Sequence, residues 1–167
     1  MRRYKGAVFS TVLSIALAPA AFSQTTAPAE PDAMTPVAVD CDADFATLDS
    51  DGNAYLSETE SQRAHARARI QGVTLQPEGL SKQDYVALCG APEWADNTPE
   101  DGAPFKGANS FTEEQARDRA TAWNVTGVSA LIKDDLGIWR GTGMANGAAV
   151  SVAIDYKGNV VTSTATP

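Results

Sequence analysis

Residues 49–60 of this chain read Asp-Ser-Asp-Gly-Asn-Ala-Tyr-Leu-Ser-Glu-Thr-Glu. Side-chain oxygens recur at positions 1, 3, 5, 9 and 12 of that twelve-residue window, supplied by Asp49, Asp51, Asn53, Ser57 and Glu60. A hard cation such as Ca2+ takes six to eight oxygen ligands, drawn in loops of this length from alternate positions and closed by a bidentate Glu. The spacing therefore predicts a metal loop held between two helices.

The flanking apolar residues agree with that reading. Phe45 and Leu48 lie on one helical face before the loop, Leu56 occupies position 8, where such a loop pairs with a neighbour, and Tyr55 at position 7 needs only its backbone carbonyl. The segment resembles the EF-hand family in nearly every slot. The resemblance implies one Ca2+ ligated by Asp49, Asp51, Asn53, the Tyr55 carbonyl, Ser57 (directly or through water) and Glu60. One slot departs from the family: Ala54 stands at position 6, where glycine is usual because the backbone turns with positive φ, and a non-glycine residue there costs about 1 kcal/mol. Sliding the frame to bring Gly52 to position 6 would put Thr47 first and Ala54 at the apolar position, so the first frame stands and weakened binding is expected. The alternative is an acidic turn with Ser57 capping the next helix.

Arg2, Arg3 and Lys5 precede an apolar run from Ala7 to about Ala18, followed by Ala21-Phe22-Ser23. This is the pattern of a secretory signal peptide over residues 1–23, too short and wrongly flanked for a membrane span. It predicts a periplasmic or secreted protein without stable membrane insertion. The formal net charge is −8 and becomes −11 once Arg2, Arg3 and Lys5 are removed. Such an acidic chain argues against nucleic acid or an anionic membrane as partner and favours cations or basic proteins. Residues 24–38, rich in Thr, Ala and Pro, read as a disordered lead.

Cys41 and Cys89 are the only cysteines, and an even count in an exported chain predicts a disulfide. It would clamp a small domain spanning residues 39–90. Within that domain a helix is expected from Glu58 to Ile70, started by Ser57, with His65, Arg63, Arg67 and Arg69 on a solvated face. Gly79-Leu80-Ser81-Lys82-Gln83-Asp84-Tyr85 repeats the second half of the first loop, with Leu80 matching Leu56, Ser81 matching Ser57 and Asp84 matching Glu60. The earlier ligand slots of that frame fall on Val73, Leu75 and Pro77, which offer no side-chain oxygen. The reading is a degenerate second hand without an ion, a β-bridge between Leu56 and Leu80, and a helix from Lys82 to Cys89 capped by Ser81. Its frame begins only 24 residues after the first, so the second entering helix must be abbreviated or shared.

Residues 91–107 carry Pro92, Pro99, Pro104, Gly102 and Gly107 and read as a linker, with Trp94 and Phe105 either pinning it to a domain or exposed. Beyond it, Thr112 and Gln115 form a capping box, Phe111 and Ala116 suit a hydrophobic staple, and Ala116, Ala120 and Trp123 follow on one helical face. Strands are expected at Val128–Lys133, Ile138–Met144, Ala148–Tyr156 and Val160–Ser163, with Val150, Val152, Ile154 and Tyr156 alternating against Ser151, Ala153 and Asp155. The fold class is thus a small helical EF-hand-like domain followed by an α+β domain, one helix on a three- or four-stranded antiparallel sheet. Ser110-Phe111-Thr112-Glu113-Glu114-Gln115-Ala116-Arg117, Gly137-Ile138-Trp139-Arg140-Gly141 and Asp155-Tyr156-Lys157-Gly158-Asn159-Val160 together resemble the PepSY-like domain, over residues 108–164. The resemblance implies a protein-binding role, as in exported bacterial proteins and protease propeptides.

No Gly-x-Ser-x-Gly elbow or phosphate-cradling loop occurs, the single histidine has no paired nucleophile, and Asp134 and Asp135 read as turn formers. The sequence predicts a non-enzymatic calcium-binding protein with an interaction module. The alternative is a protease inhibitor acting through the face around Trp139 and Arg140. A third reading is an envelope-interaction protein in which calcium only stiffens the first domain.

Overall fold

The computed structural model describes residues 39–95 and 97–165. The predicted signal peptide and lead lie outside the described residues. Among the described residues the chain is mixed α+β, with five helices and two antiparallel sheets of two and four strands.

Helix α1 spans Cys41–Leu48 and starts where the Asp40 carboxylate accepts the Ala43 N–H at 3.1 Å. It ends at the acidic segment 49–60. After that loop, β1 (Tyr55–Leu56) pairs with β2 (Leu80–Ser81), with Leu56 opposite Leu80. Between the two strands runs α2 (Gln62–Gln71), and β2 leads directly into α3 (Lys82–Cys89), capped by Ser81 through the Asp84 N–H. A single helix, α2, thus separates residues 49–60 from the segment 73–84. Gly79 makes the pairing possible: its φ is 127°, and a Cβ there would sit 2.1 Å from the Leu56 carbonyl oxygen.

These elements close around Phe45, Leu56, Leu80, Tyr85, Leu88 and Trp94. Phe45 and Trp94 each stand 5.6 Å from the Tyr85 ring, so three aromatics form a continuous seam under α1 and α3. Cys41 and Cys89 are joined by the predicted disulfide, tying the start of α1 to the end of α3.

Three expectations for α2 are corrected. Ser57 does accept the Glu60 N–H in a first turn, but the continuous helix begins only at Gln62, capped by Ser61, because the Glu60 carboxylate folds back into the loop. His65 is buried, not solvent-facing, and its Nε2 lies 2.7 Å from the Leu56 carbonyl oxygen. Arg63 and Arg67 are not a solvated face. The Arg63 guanidinium stacks 4.3 Å above Trp94, Arg67 is buried beside it, and both donate from Nε to the Ala122 carbonyl, at 3.1 and 3.3 Å. A cation over an indole face contributes about 0.5–2 kcal/mol, and the carbonyl end of a helix adds to the attraction.

That carbonyl belongs to α5 (Glu113–Ala122), whose Thr112–Gln115 capping box is present in both directions. Helix α5 lies on the sheet of β3 (Ile132–Lys133), β4 (Trp139–Ala145), β5 (Ala148–Ile154) and β6 (Val160–Thr164), in that spatial order. Ala116 and Ala120 meet Val150, Val152, Ile154 and Val160 in a second core. Arg69 of α2 grips Asp118 of α5 through Nε and Nη2, at 2.6–3.0 Å. Helix α4 (Pro92–Ala95) carries the buried Trp94, and beyond it the Phe105 N–H and the Glu100 N–H reach the Asp155 and Asn159 side chains.

Two strands differ from expectation by more than one residue at an end. Only Ile132–Lys133 of the segment 128–133 is strand, because residues 125–131 press against β4. Cβ atoms at Gly141 and Gly143 would come within 2.6 Å of the Leu131 and Val125 side chains. Strand β5 stops at Ile154, so Tyr156 is exposed and Asp155, expected on the outer face, is fully buried.

Candidate metal centre

Helix α1 delivers Asp49 to the start of the loop, where the Asp49 N–H closes the helix on the Phe45 carbonyl. From there the short acidic side chains organise the backbone. Asp49 Oδ1 accepts the Asn53 N–H and Oδ2 the Ala54 N–H, at 3.1 and 3.0 Å. Asp51 also accepts the Asn53 N–H, and Asn53 Oδ1 accepts the Tyr55 N–H at 2.7 Å. Carboxylates and amides at alternate positions thus wrap the chain around their own oxygens, as Asx turns do.

Ala54 takes φ 67°, the left-handed conformation that position 6 requires. The sequence conflict is therefore absorbed as backbone strain and leaves the loop's path intact. Ala54→Gly should relieve that strain by more than the extra freedom it gives the unfolded chain. A net gain of about 0.5–1 kcal/mol in urea unfolding of the metal-free protein is expected. A loss of stability would show that Ala54 is not strained.

Glu60 closes the loop from the far side. Its Oε1 accepts the Ser50 N–H and hydroxyl at 2.9 and 2.8 Å, and its Oε2 accepts the Ser57 N–H and hydroxyl, each at 2.8 Å. Hydrogen bonds from Ser57, first from its backbone and then from its hydroxyl, and from Ser50 pull the Glu60 carboxyl down to about 2. A depressed folded value means the group stabilises the fold above the ordinary glutamate range. That contribution is lost progressively as pH falls from the ordinary glutamate range to about 2.

One carboxylate oxygen from each of Asp49, Asp51 and Glu60 lies within 4.8 Å of the others. Three of the six expected ligands therefore converge. Asn53 lies between the two aspartates in the hydrogen-bond network, Ser57 lies against Glu60, and Tyr55 sits in β1. Ser50 was not singled out by the sequence, since position 2 of the pattern carries no ligand. Its role in holding Glu60 emerges only from the fold. Glu58, between Ser57 and Glu60 in the loop, is paired with Arg69 at 3.1 Å.

In the second frame, Val73 and Leu75 pack against the first core. Elsewhere, Asp134 Oδ1 accepts the Leu136 and Ile138 N–H groups, as a turn former does, and its Oδ2 accepts Arg140 Nε at 2.7 Å. Trp139 donates its indole N–H to the Phe111 carbonyl and lies under Lys133. Both residues of the proposed inhibitory face are thus engaged within the chain.

Comparison with protein-family models, curated proteins and solved structures returned no match. Among the described residues, no helix is long and apolar enough to cross a membrane.

Proposed function

We propose that residues 49–60 bind one calcium ion and that the chain acts, after export to the periplasm or beyond, as a non-enzymatic calcium-binding protein with an attached interaction module. The reading is carried by one observation: the Asp49, Asp51 and Glu60 oxygens converge around a loop whose position 6 takes the left-handed turn. Asp49, Asp51 and Glu60 would supply the charge, with Asn53, the Tyr55 carbonyl and Ser57 completing a hard oxygen shell. The Ser50 and Ser57 donors hold the Glu60 carboxylate over the loop before an ion arrives, so little ordering is left for binding. The EF-hand-like pattern, the signal-peptide pattern and the disulfide support the same reading. The PepSY-like pattern supports the interaction role of residues 108–164.

Only three carboxylates serve the site, and affinity rises with ligand charge, so the expected dissociation constant is on the order of 0.1–1 mM. Calorimetric titration of the disulfide-bonded chain from Gln24 should give one saturable site. Glu60→Gln should remove it, since an amide cannot close the loop as a bidentate anion. Equal affinity in Glu60→Gln would sink the assignment.

A further inference from the structure

Four stretches far apart in sequence meet at one end of the sheet. Thr126 and Met144 exchange backbone hydrogen bonds at 2.9 and 2.8 Å, in an isolated antiparallel bridge. Asn124, two residues before Thr126, and Asn146, two residues after Met144, therefore come to the same end of that pairing. Val160 at the start of β6 and Asn97 from the segment after α4 join them there. Between these stretches lies a cavity of about 310 Å3, lined by Trp123, Asn97, Asn124, Asn146, Val125 and Val160 among others. Its size is at the lower end of the range of small-molecule sites, about 300–1,000 Å3.

The polar groups at this cavity are held in place but little used by the fold. Asn124 (φ 63°) and Asn146 (φ 50°) both stand in left-handed turns, the first just past the end of α5 and the second in the hairpin between β4 and β5. Glycine suits such a backbone at least as well, and it would leave the cavity without those amides. The Asn97 Oδ1 accepts a hydrogen bond from Arg67 Nη2 at 3.3 Å, which sets the orientation of that amide. Trp123 is half-buried and packs against the second core. Its indole N–H and the Asn124 and Asn146 amides have no hydrogen-bond partner among the described residues, whereas the Trp139 indole donates to the Phe111 carbonyl.

From this we infer that the cavity is a binding site for a single neutral pyranose unit. The class of ligand follows from the groups that converge on it. A side-chain amide accepts through its oxygen and donates through its nitrogen, and three of them match adjacent hydroxyls, each of which also donates and accepts. An indole joins an apolar face to a polar tip, which suits a ring carrying C–H groups on one face and hydroxyls around its rim. Val125 and Val160 line the cavity without competing for hydrogen bonds. The net charge of −8 disfavours an anionic ligand such as a sugar phosphate or a uronic acid. A hexose has about twelve non-hydrogen atoms, and at the ordinary binding efficiency of a small ligand its dissociation constant is on the order of 1–10 mM.

The inference does not rest on the metal, so its test is run in chelator. The disulfide-bonded chain from Gln24, isotope-labelled for nuclear magnetic resonance, is titrated with glucose, galactose, mannose and N-acetylglucosamine, each up to about 50 mM. The side-chain N–H signals of Asn97, Asn124, Asn146 and Trp123 are followed. At least one sugar should shift them together along a saturating curve. Asn124→Gly and Asn146→Gly each delete an amide and keep the left-handed backbone, so each should raise the dissociation constant about fivefold with a nearly unchanged melting profile. Signals unmoved by all four sugars would overturn the proposal. So would shifts that glycerol reproduces at equal hydroxyl concentration, or an affinity that either variant leaves intact.

Discussion

Replacing Asp155 with alanine should cost about 4 kcal/mol of stability, the largest loss expected from any single substitution on the sheet. The Asp155 carboxylate is fully buried and accepts four hydrogen bonds: from the Lys157 N–H and Asn159 N–H on Oδ1, at 2.9 and 3.1 Å, and from the Phe105 N–H and Asn159 Nδ2 on Oδ2, at 2.9 and 3.0 Å. Each buried donor left without an acceptor costs about 1–3 kcal/mol. Lys157 is exposed, so water can replace the acceptor there, whereas Asn159 is buried and its two donors cannot be rehydrated without opening the turn. Asp155→Asn should lose about half as much, because one amide oxygen still accepts while the NH2 group faces donors. Urea unfolding of the three proteins measures the series. A change under about 1 kcal/mol in the alanine variant would mean the turn rearranges freely, and Asp155 would then not be what fixes Phe105 to the sheet.

Asp155 also shows where sequence reading stopped. Period-2 alternation correctly placed Val150, Val152 and Ile154 on the α5 side, because burial of one sheet face is recorded in every second residue. The same rule put Asp155 on the opposite, outer face. What buries it is the segment around Phe105, 50 residues away in sequence, and no local pattern encodes that contact. The α2 arginines fail in the same way. A helix rich in Arg reads as solvated until a neighbour brings an indole face and a helix C-terminus to it, and Trp94 and Ala122 lie far along the chain. His65 follows suit, buried against the carbonyl of Leu56.

Features fixed by local chemistry were legible. The Thr112–Gln115 box, the Ser81 cap and the pairing of Leu56 with Leu80 each depend on residues within one turn or on one repeated pattern, and the fold contains all three. The acidic loop of residues 49–60 stands between these cases. Its oxygen spacing is local and places Asp49, Asp51 and Glu60 together, and the left-handed turn at Ala54 follows from the frame. Ser50 had no signal, because its hydroxyl and N–H matter only once Glu60 has folded back across ten residues.

Opening the Cys41–Cys89 disulfide should destabilise the protein by about as much as Asp155→Ala, through the unfolded chain rather than the folded one. The bridge closes a loop across a sequence separation of 48, and in the chain-entropy account such a loop removes about 4 kcal/mol of unfolded-state freedom. For a compact unit running from Val37 to Pro167, that corresponds to a fall in Tm of roughly 15 °C for Cys41→Ser/Cys89→Ser. Helix α1 has only eight residues, too few to persist alone, but Phe45 in the aromatic seam and the Tyr85 hydroxyl on Asp44 hold it against α3 in the folded state. The folded double variant should therefore keep its loop, and the calcium affinity proposed for that loop, measured well below Tm, should stay within about threefold of the parent's. Unfolding scans with and without millimolar calcium, beside titrations at low temperature, separate the two contributions. An unchanged Tm would remove the entropic role of the bridge. An affinity lost together with Tm would place the bridge's effect in the folded state, as the clamp that presents Asp49 and Asp51 to the ion.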